Sequence, residues 1–284
     1  FDFMDPPPTD TIVRAVEQLY ALGALNNSGD LTKIGRQMAE FPTSPMLARA
    51  ILAADKAHCV EEVLSIIAML GEASALFYRP KDKKIHADSA RARFMSKDGG
   101  DHFSLLNIWS EWVDADFSYV WARENFLQQR SLNRARDVRD QLARLCDRVE
   151  VSTGAEASAG AGNLAPIQKA IAAGFFPNAA RLQRGGDSYR TVKNGQSVYI
   201  HPSSVLVEVK PRWLLYYELV LTSKEFMRSV MPVKVEWLAE VAPHFYGKRD
   251  LEEGGGARVS GKAGPFGGDG LMDGTDGSGR GARV

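Results

Sequence analysis

The chain reads as an α+β multidomain protein in which helices come first and short strands last. Three observations predict this. Its first half carries apolar residues at spacings of three and four. Residues 154–162, GAEASAGAG, hold no large side chain. Beyond them, β-rich runs are interrupted every few positions by Gly, Pro, Asn or Ser. With 44% hydrophobic and 25% charged residues in 284, the chain has enough apolar material for one large core or two to three small ones. No run of 18 apolar residues occurs, and FDFMDPPPTD has neither the basic nor the apolar region of a secretion signal, so an intracellular protein is expected.

In order, TDTIVRAVEQLYALGAL sets Ile12, Val13, Val16, Leu19 and Tyr20 at helical spacing, with Thr9 or Asp10 as N-cap and Gly23 as the stop. NNSGD makes a turn, and LTKIGRQMAEF gives a second helix with Leu31, Ile34 and Met38 inward, ended by Pro42. Helix, turn and helix with a small wing suggest part of a winged helix. Its apolar and acidic start has the look of a segment cut from something longer.

Ser44-Pro45 pairs an N-cap with proline at the first helical position and opens SPMLARAILAADKAH; VEEVLSIIAMLG completes a helical hairpin. YRPKDKKIHADSARARF is polar and basic and is expected to run over the surface. HFSLLNIWSEWVDA resumes a helix with Phe103, Leu106, Trp109 and Val113 inside. SLNRARDVRDQLARLCDRVEV ends the bundle with Leu132, Ala135, Val138, Leu142, Leu145 and Val149 inward. On that last helix Arg134, Arg144 and Arg148 share one face, either a solvated surface or a phosphate-facing ridge. Cys59 and Cys146 form no CxxC, and the five histidines are scattered, so both cysteines read as core residues and no zinc site is signalled.

The small-residue stretch reads as a flexible linker. After one short helix, IQKAIAAGFF, come the strand-like runs NAARLQR, SYRTVKN, QSVYIHP, SVLVEV, RWLLYYELVLTS and EFMRSVMPV, five or six strands that suit a small closed barrel, with a helical turn in EWLAEVAPHFY. Residues 166–251 hold 12 Lys/Arg against 7 Asp/Glu, whereas residues 1–165 hold 19 against 23. The basic end is thus the strand-rich one, the sign a polyanion needs. From 254 on, 12 glycines and few large apolar groups read as a disordered tail.

Within YRTVKNGQSVYIHPSS, Asn194-Gly195 suits a two-residue type I′ turn, with Val192, Val198 and Ile200 on the buried face. An exposed rim bearing Tyr189, Arg190, Thr191 and Lys193 would stack a base and neutralise a phosphate, the two requirements of single-strand binding. His201, Ser203 and Ser204 follow, with turn capping as their other reading. There is no GxxxxGK[ST], HExxH or GxSxG, so no autonomous active site is expected.

FDFMDPPP, LYALGAL, LTKIGRQMAEFP, SPMLARAI, FYRPKDK, RSLNRARDVRDQL, YRTVKNGQSVYIHPSS, LLYYELVLTSKEFMR and WLAEVAPHFY, in that order, resemble the C-terminal region of the DEAH-box ATP-dependent RNA helicases. The likeness runs from residue 1 to about 250 and is strongest to the pre-mRNA-splicing branch, where it most resembles the spliceosome-activating member, with the mRNA-release member a close second. It implies a partial winged helix at 1–43, a ratchet-like helical bundle at 44–153, a linker at 154–163, an OB-fold at 164–251 and a disordered Gly-rich tail at 252–284. It further implies RecA-like motor domains elsewhere that hold ATP and Mg, a single-stranded RNA channel, a glycine-patch activator docking partly on the winged helix, and a nuclear location in the spliceosome. By the same resemblance, Tyr189, Arg190, Thr191, Lys193, His201, Ser203, Ser204 and Lys224 match stretches used at the RNA channel, and Arg134 and Arg136 lie in the corresponding bundle stretch. The alternatives are an autonomous OB-fold single-strand RNA-binding protein and a protein-docking module.

Overall fold

Helices α1 (Thr9–Ala21), α2 (Lys33–Ala39), α3 (Pro45–Lys56), α4 (Val60–Leu70), α5 (Lys84–Phe94), α6 (Gly100–Asp114), α7 (Tyr119–Glu124) and α8 (Gln129–Arg148) precede the first strand; the periodicity predicts all of these but α5 and α7. This computed structural model describes residues 4–160 and 162–251; the tail expected from 252 lies outside the described residues. Among the described residues no helix is long and apolar enough to cross a membrane.

The local rules act where the sequence offers them. Ser44 Oγ accepts from Leu47 N at 3.4 Å and Pro45 opens α3, while Thr32 Oγ caps α2 through Gly35 N at 3.0 Å. At α1 the cap is Pro8 instead of Thr9 or Asp10, because proline's fixed φ already sets the helical entry. Nor is the apolar face of α1 buried: Ile12 and Val13 are each 47% exposed, and Leu31 of the following turn is equally open. The polar run after Tyr78 stays on the surface as expected but folds as α5, fastened by a bidentate Arg79–Asp88 pair at 2.7 and 2.6 Å and burying Ala87 and Phe94.

Two inward assignments are corrected. In α6, Trp112 fills the core and leaves Val113 exposed; in α8, the inward set is Leu132, Ala135, Leu142 and Cys146, and Val138 is exposed. Both cysteines are free and fully buried.

The expected linker is not loose. Glu62, itself buried on α4, accepts from Ser158 Oγ at 2.5 Å, Gly160 N at 2.9 Å and Ala159 N at 3.3 Å, and Glu61 accepts from Gly154 N at 2.6 Å. Residues without bulk let the backbone come down onto two carboxylates, so the composition that suggested flexibility serves a tether. The following helix, α9 (Leu164–Phe175), packs on α3, where a Cβ at Gly174 would stand 2.1 Å from Met46 O. One core therefore runs from Leu22 through the bundle to α9, the outer barrel residues Trp213, Leu215 and Met231, and Tyr246.

Strands β1 (Ala179–Leu182), β2 (Tyr189–Thr191), β3 (Ser197–Ile200), β4 (Trp213–Leu221) and β5 (Glu225–Pro232) close a barrel in the order β1-β2-β3-β5-β4, antiparallel except for the β3–β5 pair. SVLVEV is not a strand. Ser204 Oγ accepts from Leu206 N at 3.1 Å and Lys210 N reaches Leu206 O at 3.0 Å, so the segment winds into turns that drop Leu206 into the barrel end. In β5 the left-handed Ser229 lets Met227 and Val230, three apart, both face the interior. Helices α10 (Val235–Val241) and α11 (Lys248–Leu251) finish the described chain.

Candidate nucleic-acid interface

The β2–β3 hairpin differs from the expected turn. Its ladder pairs Tyr189 with Val198 and Arg190 with Ser197, Thr191 N donates to Gln196 O, and Gly195 (φ 65°) is left-handed while Asn194 is not. The connection is therefore a four-residue loop, shifted by two positions from the two-residue type I′ register. Cross-strand partners share a face, so Tyr189 follows Val198 inward, and Thr191 goes with it. Tyr189 is 2% exposed and its hydroxyl donates to Pro211 O at 2.7 Å; Thr191 is 3% exposed and its Oγ accepts from Gln196 N at 3.0 Å. Burial also pushes the Tyr189 hydroxyl pKa up. The exposed rim expected of these two residues is overturned: neither can stack a base. Val192 is half-buried against the bundle, and Arg190 folds over its own loop through Nε to Gly195 O at 2.8 Å, leaving Lys193 exposed at the tip.

A different concavity opens where bundle meets barrel. It encloses 440 Å³ between the end of α4, α5, α6 and the barrel segments around His201, Glu218 and Arg228. Asp101, near the start of α6, fastens the seam: Oδ1 accepts from Val205 N and Oδ2 from Val230 N, both at 2.9 Å. Burial raises its pKa, against the pull of those bonds. Gly100 (φ 71°) permits the approach, since a Cβ there would lie 2.4 Å from Val230 O. Behind them His102 is 1% exposed, and burial lowers its pKa to about 4.

The polar wall of this cleft is held in place. Arg91 Nη2 donates to Ser203 O at 2.7 Å while its guanidinium lies over the Phe77 ring, 4.7 Å from the centroid. Ser203 N donates to His201 Nδ1 at 3.2 Å, and Ser203 Oγ is 2.7 Å from the same nitrogen. Those bonds assign the proton of a neutral His201 to Nε2. Burial, then the nearby Arg228, lowers the His201 pKa. Ser204 is buried and caps its own turn, so for it the capping reading holds and an outward contact does not. Arg228 Nη1 stands 3.7 Å from Glu218 Oε1 across the β4–β5 pair.

Continuous with the cleft, the outer face of the parallel β3–β5 pair carries an aromatic strip. Tyr199 and Phe226 are in register with ring centroids 6.2 Å apart, His201 stands edge-on to Phe226 at 5.8 Å, and Lys224 Nζ lies 4.3 Å above Tyr199. Of the residues singled out in the sequence, the structure thus gathers His201, Ser203 and Lys224. It sets Arg190 on β2 with its side chain folded over the hairpin loop, and Lys193 on the loop itself. Arg134 is engaged by Glu72 at 2.9 and 2.5 Å, and Arg136 lies over Phe117 and Trp112, so neither lines the cleft. Sequence reading missed Arg91, Tyr199, Glu218, Phe226 and Arg228. For Tyr199, Phe226 and Arg228 a signal existed, since each alternates with a buried neighbour, Val198, Ile200 or Met227; Glu218 stands between two half-buried residues, Tyr217 and Leu219, and gave none.

Family models match three stretches in order along the chain. Residues 15–43 match the winged-helix helicase associated domain (HA2), residues 44–105 its ratchet-like part, and residues 167–246 an oligonucleotide/oligosaccharide-binding (OB)-fold. The cleft joins the last two, with Arg91 and Asp101 from one and His201, Glu218 and Arg228 from the other.

Proposed function

This chain carries, in order, the winged-helix, ratchet-like and OB-fold domains of the C-terminal accessory module of DEAH/RHA helicases, and we propose that its bundle–barrel seam guides single-stranded RNA. The observation that carries the reading is the continuity of Lys224, Tyr199, Phe226 and His201 with Arg91 and Arg228. Ring faces stack bases of any identity and cations neutralise phosphates, so such a strip holds a strand without reading its sequence. That is what a translocating motor requires of an accessory domain.

The finer parts of the proposal rest on the sequence resemblance. RecA-like motor domains holding ATP and Mg supply the force, the parent acts in pre-mRNA splicing within the nuclear spliceosome, and a glycine-patch activator docks on the winged helix. Co-purification of the parent with pre-mRNA before the first splicing step tests the splicing assignment; its absence there would remove it.

The RNA reading is tested by fluorescence anisotropy with labelled oligouridine at two salt concentrations. Binding is expected to be weak and salt-sensitive, because few phosphates are neutralised. The Tyr199→Ala/Lys224→Ala variant is expected to bind about tenfold more weakly. Undiminished binding in that variant would overturn the assignment of this face.

A further inference from the structure

A carboxylate in a phosphate-binding cleft needs a reason, since it repels the ligand's backbone. Two carboxylates line this one. Asp101 is accounted for, both oxygens being spent on Val205 N and Val230 N. Glu218 is not: its side chain is 47% exposed, and among the described residues the cation it pairs with, Arg228, stands at 3.7 Å, too far for a hydrogen bond. Its oxygens therefore face the cleft with acceptor capacity left. An ionised carboxylate can only accept, and among the groups of a sugar–phosphate backbone the one that donates is the ribose 2′-hydroxyl. Arg228 sits directly across the ladder from Glu218, so a cation for the phosphate and an acceptor for the adjoining sugar are presented side by side.

We propose that Glu218 reads the sugar: it accepts the 2′-hydroxyl of a nucleotide whose phosphate rests on Arg228, making the cleft selective for RNA over DNA. This deepens the nucleic-acid reading of the seam and rests on it. A role confined to holding Arg228 in place makes a different forecast, because losing that support weakens every strand alike.

The experiment measures binding of oligouridine, its 2′-deoxy counterpart and its 2′-O-methyl counterpart to the chain and to Glu218→Ala and Glu218→Gln. The unaltered protein is expected to favour the ribose strand over both others. Glu218→Ala is expected to weaken RNA binding about tenfold and to leave the deoxy strand equal or tighter, so that the ratio falls toward one. Glu218→Gln, which keeps an acceptor oxygen without charge, is expected to retain part of the preference. Equal weakening on all three strands, or no preference in the unaltered protein, would overturn the sugar-reading role while leaving the cleft a nucleic-acid site. Failure of the unaltered protein to bind any of the strands would remove the nucleic-acid reading itself, and the inference with it.

Discussion

The β2–β3 hairpin and the β3–β5 face of the same barrel carry similar side chains and do opposite things with them. On the hairpin, Tyr189 is enclosed among Val198, Leu206 and Leu214; on the β3–β5 face, Tyr199 lies under Lys224 with Phe226 beside it. Both are tyrosines in strands among basic residues. What separates them is parity: a residue opposite Val198 must go inward, and a residue between Val198 and Ile200 must go outward. Residue type proposes a contact, and strand register disposes it.

The largest expected effects come from the seam that supports the outer face, and they ask whether that face depends on the bundle. Asp101→Ala leaves Val205 N and Val230 N without their acceptor, a loss of roughly 3 kcal/mol at about 1–3 kcal/mol per orphaned group. Gly100→Ala is expected to cost a similar amount, since its Cβ meets a backbone carbonyl that cannot step aside. Urea unfolding reads both. The β2–β3 hairpin makes no such demand on α6, so an Asp101→Ala protein as stable as the unaltered chain would mean the two regions are equally self-supporting.

Acid tests the same seam. His102 has a folded pKa of about 4 against 6.5 for an unperturbed imidazole. The unfolded chain therefore takes up a proton that the native protein refuses, and its contribution is intact above pH 6.5 and lost as pH falls toward 4. At about 1.4 kcal/mol per unit the loss is roughly 3 kcal/mol. Asp101, whose folded pKa is raised, works in the opposite direction by favouring proton uptake in the native state. The His102→Gln variant isolates the histidine: its unfolding midpoint is expected to decline less than that of the unaltered chain between pH 6.5 and 4. Parallel declines would mean that another group governs the acid limb.

The order of helices and strands was legible because periods of 3.6 and 2 survive in single sequences, and Ser44-Pro45 and Pro42 marked their own boundaries. Tertiary competition was not. Trp112 displaces Val113 and two glutamates on α4 capture the small-residue stretch, each through a partner invisible to a local reading; the Ser204 turn that diverts SVLVEV is local, and there the strand-like composition outweighed a capping signal two residues away. The candidate site was half legible. His201, Ser203 and Lys224 lie in stretches that stand out along the chain, but Arg91 reaches them from a helix 112 positions away from Ser203.

The direct comparison of the two regions is by charge. Arg91→Ala/Arg228→Ala is expected to weaken oligouridine binding about tenfold, the effect of losing two phosphate contacts and their salt dependence. Arg190→Ala/Lys193→Ala, on the β2–β3 hairpin, is expected to change it by less than about threefold. Reversal of that order in anisotropy titrations would return the site to the hairpin.

The smallest effect is the sharpest discriminator, because it removes one oxygen from each tyrosine. Tyr189→Phe keeps the ring in the barrel and leaves Pro211 O without its donor, so stability falls by about 1 kcal/mol and RNA binding holds. Tyr199→Phe keeps the ring face under Lys224, so stability and binding both hold. Only Tyr199→Ala, which removes the face, is expected to weaken RNA. If Tyr189→Phe impaired binding at unchanged stability, the hydroxyl would have to be reachable by the strand, and the register that turns Tyr189 inward could not be the one RNA meets.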